Sequence, residues 1–322
     1  MQPTEGPALV RPTAQPARSA AAIPSPGADA DAMSAAARLS DVTIVSLEAI
    51  IGAGKSTQLD RLKAVYRDDP NVVFLDEPVD EWEQHGLIEA MYAGSLDRCS
   101  FQMMALVSRV AKLTDAILSG AKFIVSERSP WSDCLVFARA NLQGVELTGY
   151  NYAFAKLQRV LETHAKINLL MVFLQVPSDS AQERIMHRGR PSEMPDGDDT
   201  PRVPLAYQDL LRLHHERMAQ MADSNTIGYH IRGEQYVKRG ADKRMVSRCK
   251  VIDGEQGVEA VGAQLASIVA TELTARLAED TFKAMARASD APSSPASVVD
   301  GDTGGEPRYR DLVPPSVLHG AA

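Results

Sequence analysis

The sequence predicts an α/β fold in which a parallel five-stranded sheet is flanked by helices. Five short apolar runs, rich in β-branched residues, alternate along the chain with longer segments of helical character. Strands that are separated by helices generally pair in parallel, and both faces of such a sheet are covered. The predicted strands are 42–45, 72–75, 121–126, 168–176 and 248–253. The fourth is the most apolar, so we expect it to be central.

The first strand leads through a glycine-rich turn into a helix. This arrangement, with its Gly-Lys-Ser ending, predicts a P-loop, and we therefore expect a P-loop NTPase-like fold. Lys55 can reach the β- and γ-phosphates of ATP, and the Ser56 hydroxyl can bind Mg²⁺. The residues expected to bind ATP in this turn are Gly52, Ala53, Gly54, Lys55, Ser56 and Thr57.

One position departs from the P-loop motif. Ala49 stands where GxxxxGK[ST] has its first glycine. A methyl group is tolerated there if the backbone φ is negative and is costly if φ is positive. The alternative is a Gly-Lys-Ser sequence that precedes a helix by chance, but the strand before it favours a phosphate site.

Composition narrows the possible partners. The 322 residues suffice for one large α/β domain, and the net charge of -8 leaves no basic excess for a general nucleic-acid surface. The three cysteines lie far apart and form neither a zinc motif nor a disulfide framework, which favours a reducing, cytoplasmic environment. No apolar run reaches the roughly 18 residues of a membrane helix. We therefore expect neither nucleic-acid nor membrane partners.

Both ends of the chain are rich in Ala, Pro, Ser and Gly and lack a hydrophobic period. Residues 1–40 and 281–322 are predicted to be disordered tails on either side of a domain at 41–280. The N-terminal segment could instead be a mitochondrial transit peptide. Its arginines favour that alternative, whereas its acidic residues and prolines weigh against it.

Two carboxylates follow predicted strands. Glu77 comes just after the second strand, and Glu127 ends the third, with Arg128 next. Because the carboxyl ends of parallel strands meet at one edge of the sheet, where ligands bind, both acids are expected beside the phosphates. Position alone leaves Glu77 either as a general base or as a structural cap.

The predicted helix at 98–118 carries polar and apolar faces. Gln102 and Arg109 are seven residues apart and share one face, which is either solvated or in contact with a ligand. Its predicted buried face consists of Phe101, Met104, Ala105, Val107, Ser108, Ala111 and Ile117. Further helices are predicted at 82–94, after Pro130, at 150–165, 205–222 and 258–277.

A basic cluster ends the helix that follows the fourth strand. Arg184 and Arg188 are one turn apart and Arg190 lies just beyond, so three guanidinium groups could converge as an arginine-rich lid over phosphates. The alternative is a solvated helix end, where basic residues are favoured anyway. Residues 191–202 are predicted to form an exposed insertion.

These motifs together resemble those of the deoxynucleoside kinase family, in the branch that contains deoxycytidine and deoxyguanosine kinases. The resemblance covers roughly 41–277 and identifies 41–280 as a deoxynucleoside kinase domain. It rests on five signatures in order, which are the P-loop, Glu77-Pro78-Val79 with Trp82, Phe101-Gln102, Glu127-Arg128-Ser129, and Arg184-x-x-x-Arg188-Gly-Arg190 with Glu193. It implies phosphorylation of a deoxynucleoside at its 5′-hydroxyl by ATP and Mg²⁺, in nucleotide salvage and DNA precursor synthesis.

The same resemblance implies residue roles. Glu77 matches the general base, Glu127 the acid that organises magnesium with Ser56, and Arg128 the arginine beside the transferred phosphoryl group. Gln102 is expected to pair with the base edge, Phe137 to stack on the base, and Tyr92 and Glu193 to hold the 3′-hydroxyl. The substrate residues as a set are Trp82, Tyr92, Gln102, Arg109, Asp133, Phe137 and Glu193. A homodimer formed through helices beside the sheet, among them 98–118, is also implied.

Arg109 and Asp133 bear on the choice of substrate. A charged pair can read an amino group or ring nitrogen, whereas a thymine methyl group prefers an apolar wall. Deoxycytidine or a purine deoxynucleoside is therefore favoured over thymidine. Two other functions stay open, a thymidylate-type nucleoside monophosphate kinase and a nucleotide-binding module without catalysis. The second is suggested by Ala49 and by Ile50, which replaces an asparagine common in the family.

Overall fold

The structure is a computed structural model that describes residues 39–190, 193–194, 202–227 and 245–289. The predicted tails lie outside these residues except for 39–40 and 281–289, as does most of the predicted insertion before Arg202. The chain divides into two compact units, Met1–Arg276 and Leu277–Ala322. The sheet and all the predicted site residues belong to the first.

The sheet has five parallel strands, as the sequence predicts. They are β1 (Ser40–Glu48), β2 (Val72–Leu75), β3 (Phe123–Glu127), β4 (Ala165–Gln175) and β5 (Met245–Asp253), in the order β2-β3-β1-β4-β5. The expectation that the fourth strand is central is wrong, because β1 holds the middle. β4 is nevertheless paired on both sides and covered on both faces, so its apolar composition is that of any interior strand.

Helices surround this sheet. They are α1 (Lys55–Val65), α2 (Val79–Gln84), α3 (Leu87–Tyr92), α4 (Arg98–Leu118), α5 (Pro130–Ser132), a π-helical turn (Asp133–Phe137), α6 (Ala138–Asn141), α7 (Gly144–His164), α8 (Ser178–Arg188), α9 (Leu205–Asp223) and α10 (Val258–Ser289). Two helices replace the single one predicted at 82–94, because Gly86 has a positive φ of 66° between them. α10 continues well beyond its predicted end at 277. Among the described helices, none is both long enough and apolar enough to span a membrane.

Helix α4 has the predicted ends but a different buried face. Asp97 caps its N-terminus by accepting a hydrogen bond from the Ser100 backbone N–H at 2.8 Å. Val107 and Ala111 are exposed, although both were expected to be buried. The buried stripe instead contains two polar residues, Gln102 and Arg109, which face the cleft described below. A stripe that includes polar cleft residues is displaced from the one that apolar spacing alone indicates.

Three acidic residues meet at one edge of the sheet. β1 ends at Glu48, β3 ends at Glu127, and Glu77 follows β2 by two residues. β1 and β3 are paired in parallel from Thr43 and Phe123 up to Leu47 and Glu127, so their carboxyl ends are adjacent. The P-loop leaves β1 at the same edge. The topology therefore brings phosphate-binding and acidic groups to one place.

Candidate active site

The turn between β1 and α1 has the backbone of a tight phosphate-binding loop. Gly52 and Gly54 adopt positive φ angles of 83° and 91°. Among the described residues other than glycine, positive φ occurs only at Arg128 and Asn225. Ala49 therefore has a backbone conformation that accepts a methyl group, and its replacement of the motif glycine carries no backbone strain.

Side chains from several elements donate hydrogen bonds to the carbonyl oxygens of this loop. The pairs are Arg128 Nη1 to Ala49 O (2.7 Å), Lys55 Nζ to Ile50 O (3.3 Å), Gln208 Nε2 to Ile51 O (2.7 Å) and Arg184 Nη1 to Ala53 O (3.4 Å). Such bonds occupy carbonyl oxygens that would otherwise repel an anion, while backbone N–H groups remain available to phosphate. Gln208, which reaches the loop from α9, had no signal in the sequence.

Gly52 lies directly against helix α8. A Cβ atom at this position would lie 2.5 Å from the carbonyl oxygen of Ala181 and 2.8 Å from Ile185 Cγ1. The close approach and the positive φ both require glycine. The P-loop and the helix that carries Arg184 and Arg188 are thus held together by a contact that has no room for a side chain.

We expect Gly52→Ala to raise the KM for ATP by about tenfold or more, because the added methyl group must push the loop away from α8. The measurement is initial rate against ATP concentration. Gly149→Ala in α7 is the matched control, since a Cβ there meets no heavy atom within 4 Å. An unchanged KM for ATP in Gly52→Ala would contradict the proposed packing.

Lys55, Ser56 and Glu127 meet beneath the loop. The Ser56 hydroxyl donates a hydrogen bond to Glu127 Oε1 at 2.9 Å, and Lys55 Nζ lies 3.9 Å from the same oxygen. Lys55 is only 5% exposed. Burial, reinforced by Arg128 and opposed by nearby carboxylates, lowers the pKa of Lys55 to about 8.

Ser56 and Glu127 also fit a magnesium site. Within the described part of the chain, no group of three or more His, Cys, Asp or Glu residues could hold a metal ion. Mg²⁺ in phosphoryl-transfer enzymes keeps several waters and is held by one or two protein oxygens together with substrate phosphates. A hydroxyl and a carboxylate in contact at the end of a phosphate-binding loop suit this kind of site.

Glu77 is held between two guanidinium groups. Its Oε1 lies 3.0 Å from Arg109 Nη2 and 3.2 Å from Arg128 Nε. Burial would by itself raise the pKa of Glu77, but Arg128, Arg109 and Lys55 outweigh it and lower that pKa to about 2. Glu77 and Lys55 line the same cavity. The carboxylate is therefore ionised and lies on the cleft side of the sheet.

Arg128 adopts an unusual conformation at the centre of this network. It is 2% exposed and has a φ of 64°, in the left-handed region that a side chain seldom occupies. Its guanidinium lies over the Phe137 ring at 4.5 Å from the ring centroid. Residues held in this way cluster at functional sites, where the surrounding structure enforces the strain.

Arg109 links Glu77 to the predicted base-reading residues. Its Nε donates to Asp133 Oδ2 at 2.7 Å, and its Nη1 donates to the Glu127 carbonyl at 3.1 Å. Burial raises the pKa of Asp133, although Arg109 opposes this effect. Arg109 thus connects Asp133 in the π-helical turn with the carboxylate of Glu77.

A cavity of about 990 Å³ extends from the P-loop along α4. Every predicted substrate residue lines it, which are Trp82, Tyr92, Gln102, Arg109, Asp133, Phe137 and Glu193. The Gln102 side chain makes no hydrogen bond within the described residues, so its amide is free to face a ligand. Trp82 packs edge-on against Phe101 at 5.7 Å between ring centroids and donates its indole N–H to Ser108 Oγ at 3.1 Å.

The three predicted lid arginines also line this cavity. Arg184 contacts the P-loop and pairs with Glu255 at 3.2 Å. Arg188 donates to Glu193 at 2.6 Å, and Arg190 lies 3.8 Å from the same carboxylate. The arginines are thus divided between the P-loop and Glu193, and closure of this segment over phosphates stays a prediction.

Further residues at the site were not predicted from the sequence. Tyr207 and Asn141 line the cavity and are joined by a 2.7 Å hydrogen bond, and Arg202 lies over the Tyr92 ring at 5.6 Å from the centroid. Glu48 lies buried at the end of β1, beside the site but outside the lining of the cavity. Glu48 is an acid at the carboxyl end of a strand, and the same signal predicted Glu77 and Glu127 at the site.

Comparison with known proteins gives the family. The family model for deoxynucleoside kinases matches residues 45–251. A protein of Invertebrate iridescent virus 3 that is named as a kinase is 27% identical over 188 residues, which are 58% of this chain and 86% of that protein. A fowlpox virus protein named for deoxycytidine kinase is 26% identical over 177 residues, 54% of this chain and 70% of that protein.

Solved structures also align with the chain. The deoxyadenosine kinase of M. mycoides with bound dATP is 17% identical, has a TM-score of 0.48, and the alignment covers 70% of this chain and 98% of that one. The same kinase with bound dCTP has a TM-score of 0.46 at 17% identity, with coverage of 71% and 99%.

The family model spans more than half of the chain, from the last part of β1 to β5, and includes the P-loop, Glu77, Glu127 and the arginine-bearing helix α8. This chain belongs to the deoxynucleoside kinase family and is a kinase that phosphorylates deoxynucleosides.

Proposed function

We propose that this kinase transfers the γ-phosphoryl group of ATP to the 5′-hydroxyl of a deoxynucleoside. The observation that carries the proposal is the arrangement of Glu77 and Lys55 on one cavity, where an ionised carboxylate and a buried ammonium group are close enough to shift each other's pKa. Glu77 orients the acceptor hydroxyl and accepts its proton. Lys55 and Arg128 neutralise the charge that spreads over the phosphoryl oxygens.

The low pKa of Glu77 fits this role in a loose transition state. In a loose transition state the acceptor hydroxyl loses its proton only late in the reaction. Orientation of the hydroxyl by Glu77 therefore matters more than the basicity of Glu77. A phosphoryl group that competes for Arg128 would also weaken its pairing with Glu77. The pKa of Glu77 then rises towards its ordinary value, and the carboxylate becomes a better proton acceptor.

Ser56 and Glu127 would hold the magnesium ion that accompanies ATP. Bound there, Mg²⁺ would withdraw charge from the phosphate oxygens. The arginines of α8 supply the remaining positive charge, and their movement over the donor would exclude water and so prevent hydrolysis of ATP.

For the acceptor, the Arg109–Asp133 pair supports deoxycytidine or a purine deoxynucleoside over thymidine, whereas the free amide of Gln102 can pair with the edge of any base. Turnover should therefore be fastest with one of these three when ATP consumption is measured against all four deoxynucleosides. dCMP and dTMP serve as acceptor controls. Phosphorylation of either monophosphate at a higher rate than any nucleoside would favour a nucleoside monophosphate kinase and overturn the proposal. A clear preference for thymidine would overturn the assignment of the base pocket alone.

Of the remaining functional inferences, some rest on the family and others on composition. Membership in a kinase family disfavours a nucleotide-binding module without catalysis, and the negative φ of Ala49 removes part of the argument for one. A homodimer and a role in nucleotide salvage are proposed from the resemblance in sequence. A cytoplasmic location is proposed from the scattered cysteines, and a mitochondrial location, the alternative, from the arginines of the N-terminal segment.

A further inference from the structure

Glu48 is a buried carboxylate that the mechanism above does not use. It ends β1 and is 0% exposed. Its Oε1 accepts hydrogen bonds from Ser46 Oγ at 2.6 Å and from Ser129 Oγ at 2.7 Å, while its Oε2 has no hydrogen-bond partner among the described residues. Burial of a carboxylate with two hydroxyl donors is unfavourable compared with an apolar side chain of similar size. Its presence therefore needs a physical account.

The two hydrogen bonds of Glu48 join it to different parts of the chain, one to its own strand and one to the turn after β3. Ser46 belongs to the same strand and needs no support from Glu48. Ser129 follows Arg128 directly and caps α5, where it accepts a hydrogen bond from the Ser132 backbone N–H at 3.3 Å. Glu48 thus reaches across from β1 to the residue on which the backbone turns after β3.

Arg128 is held on both sides by β1. Its backbone N–H donates to the Leu47 carbonyl at 3.0 Å, and the following residue, Ser129, is bound to the Glu48 carboxylate. Between these two attachments Arg128 adopts its φ of 64°. A non-glycine residue keeps such a conformation only if its surroundings enforce it.

We propose that Glu48 is a positioning residue that fixes the Glu127-Arg128-Ser129 turn through Ser129 and so keeps the Arg128 guanidinium against Glu77 and beside the reacting phosphate. The inference rests on the role proposed for Arg128 and Glu77. It assigns to a carboxylate outside the cavity an effect on the rate of the chemical step, with little effect on the binding of either substrate.

The test is a graded series at Glu48. Glu48→Gln retains an acceptor of the same shape without the charge, and Glu48→Met removes the acceptor at similar volume. We expect kcat to fall by about tenfold in the first and about a hundredfold in the second, because a small displacement of a catalytic group costs this much. The KM values for ATP and deoxynucleoside should stay within about threefold. Should Glu48→Met fail to fold, Glu48→Gln and Ser129→Ala still test the proposal.

A double-mutant cycle isolates the path through Ser129. Ser129→Ala should also lower kcat, and Glu48→Gln combined with Ser129→Ala should lose no more than the worse single variant, since both remove one interaction. Ser46→Ala is the matched control and should retain the kcat of the wild type. If the losses of kcat add in the double variant, or if Ser46→Ala loses as much as Ser129→Ala, Glu48 has only a structural role and the proposal is wrong. A wild-type kcat in both Glu48→Gln and Ser129→Ala would also overturn it.

This outcome is distinguishable from failure of the proposed function. If the unaltered protein does not phosphorylate deoxynucleosides, or if Glu77→Gln remains active, the reaction scheme itself is wrong. If both of those results agree with the scheme and the Glu48 variants keep the kcat of the wild type, only the positioning role is excluded.

Discussion

Replacing Glu77 by glutamine is expected to lower kcat by about 10³-fold, within the range usual for loss of a general base. Glutamine keeps the shape of the side chain and an oxygen that can accept from Arg109 and Arg128, but it accepts no proton. The deoxynucleoside should bind with nearly unchanged affinity, because glutamine can still accept a hydrogen bond from Arg109 and the other residues proposed to contact the base and sugar lie elsewhere in the cavity. Steady-state kinetics combined with calorimetric binding of the nucleoside measures both quantities.

Glu81→Gln on the exposed side of α2 is the matched control for this variant and should behave as the wild type. Turnover close to normal in Glu77→Gln would remove Glu77 from the role of base. The variant should also be less stable, since Arg109 and Arg128 lose a shared counter-ion. The folded-state pKa of Glu77 is lowered from 4.5 to about 2, so its stabilising effect is present above about pH 4.5 and is lost as the pH falls towards 2.

Lys55→Met should produce an inactive protein that is more stable than the wild type. Lys55 is a buried cation 3.9 Å from the Glu127 carboxylate beneath the P-loop, and loss of a preorganised charge at the phosphates costs about 10²- to 10³-fold in rate. In the folded protein without nucleotide or metal, however, the buried ammonium is unfavourable. Its lowered pKa, about 8 against 10.5, corresponds to an upper limit of about 3 kcal/mol.

The sign of this effect follows from proton binding. Between about pH 8 and 10.5 the unfolded chain keeps the Lys55 proton and the folded protein has lost it, so the stability of the wild type rises with pH over this interval. At pH 7 the folded protein holds the proton at a cost that methionine removes. Thermal unfolding in EDTA, with Lys156→Met on α7 as the control, should show a higher Tm for Lys55→Met alone. A lower Tm would show that the ammonium stabilises its carboxylate neighbours more than its burial costs.

Much of the fold could be predicted because its signals are local. The ends of α4 and β2 agree with the sequence prediction to the residue, since Asp97 caps the helix and a turn precedes the strand. The P-loop was identified by a motif whose glycines, lysine and serine are close together in the sequence. Glu77 and Glu127 were placed at the cleft by a rule about the ends of parallel strands, which needs only the strand boundaries.

Two of the predictions that failed depended on neighbours distant in the chain. The position of β4 beside the middle of the sheet is decided by its pairing with β5, and composition does not distinguish one interior strand from another. The buried face of α4 is displaced because Gln102 and Arg109 face a cavity, which an apolar pattern does not register. The helix break at Gly86 has a local cause, a positive φ. Because glycine adopts positive and negative φ about equally, its presence in the sequence does not by itself predict a break.

The sequence by itself determined the family, the parallel sheet and the residues that could perform phosphoryl transfer, because motif and periodicity are properties of short stretches of chain. Only the tertiary structure decided how these residues are paired. Arg109 bridges Glu77 and Asp133. Ser129, the residue after Arg128, donates a hydrogen bond to Glu48 at the end of β1, and Gln208 donates one to the P-loop from α9. These contacts join residues many positions apart, and their geometry depends on the packing of whole elements against the sheet. Charge pairing and pKa values follow from that packing, and so does the chemistry available to the site.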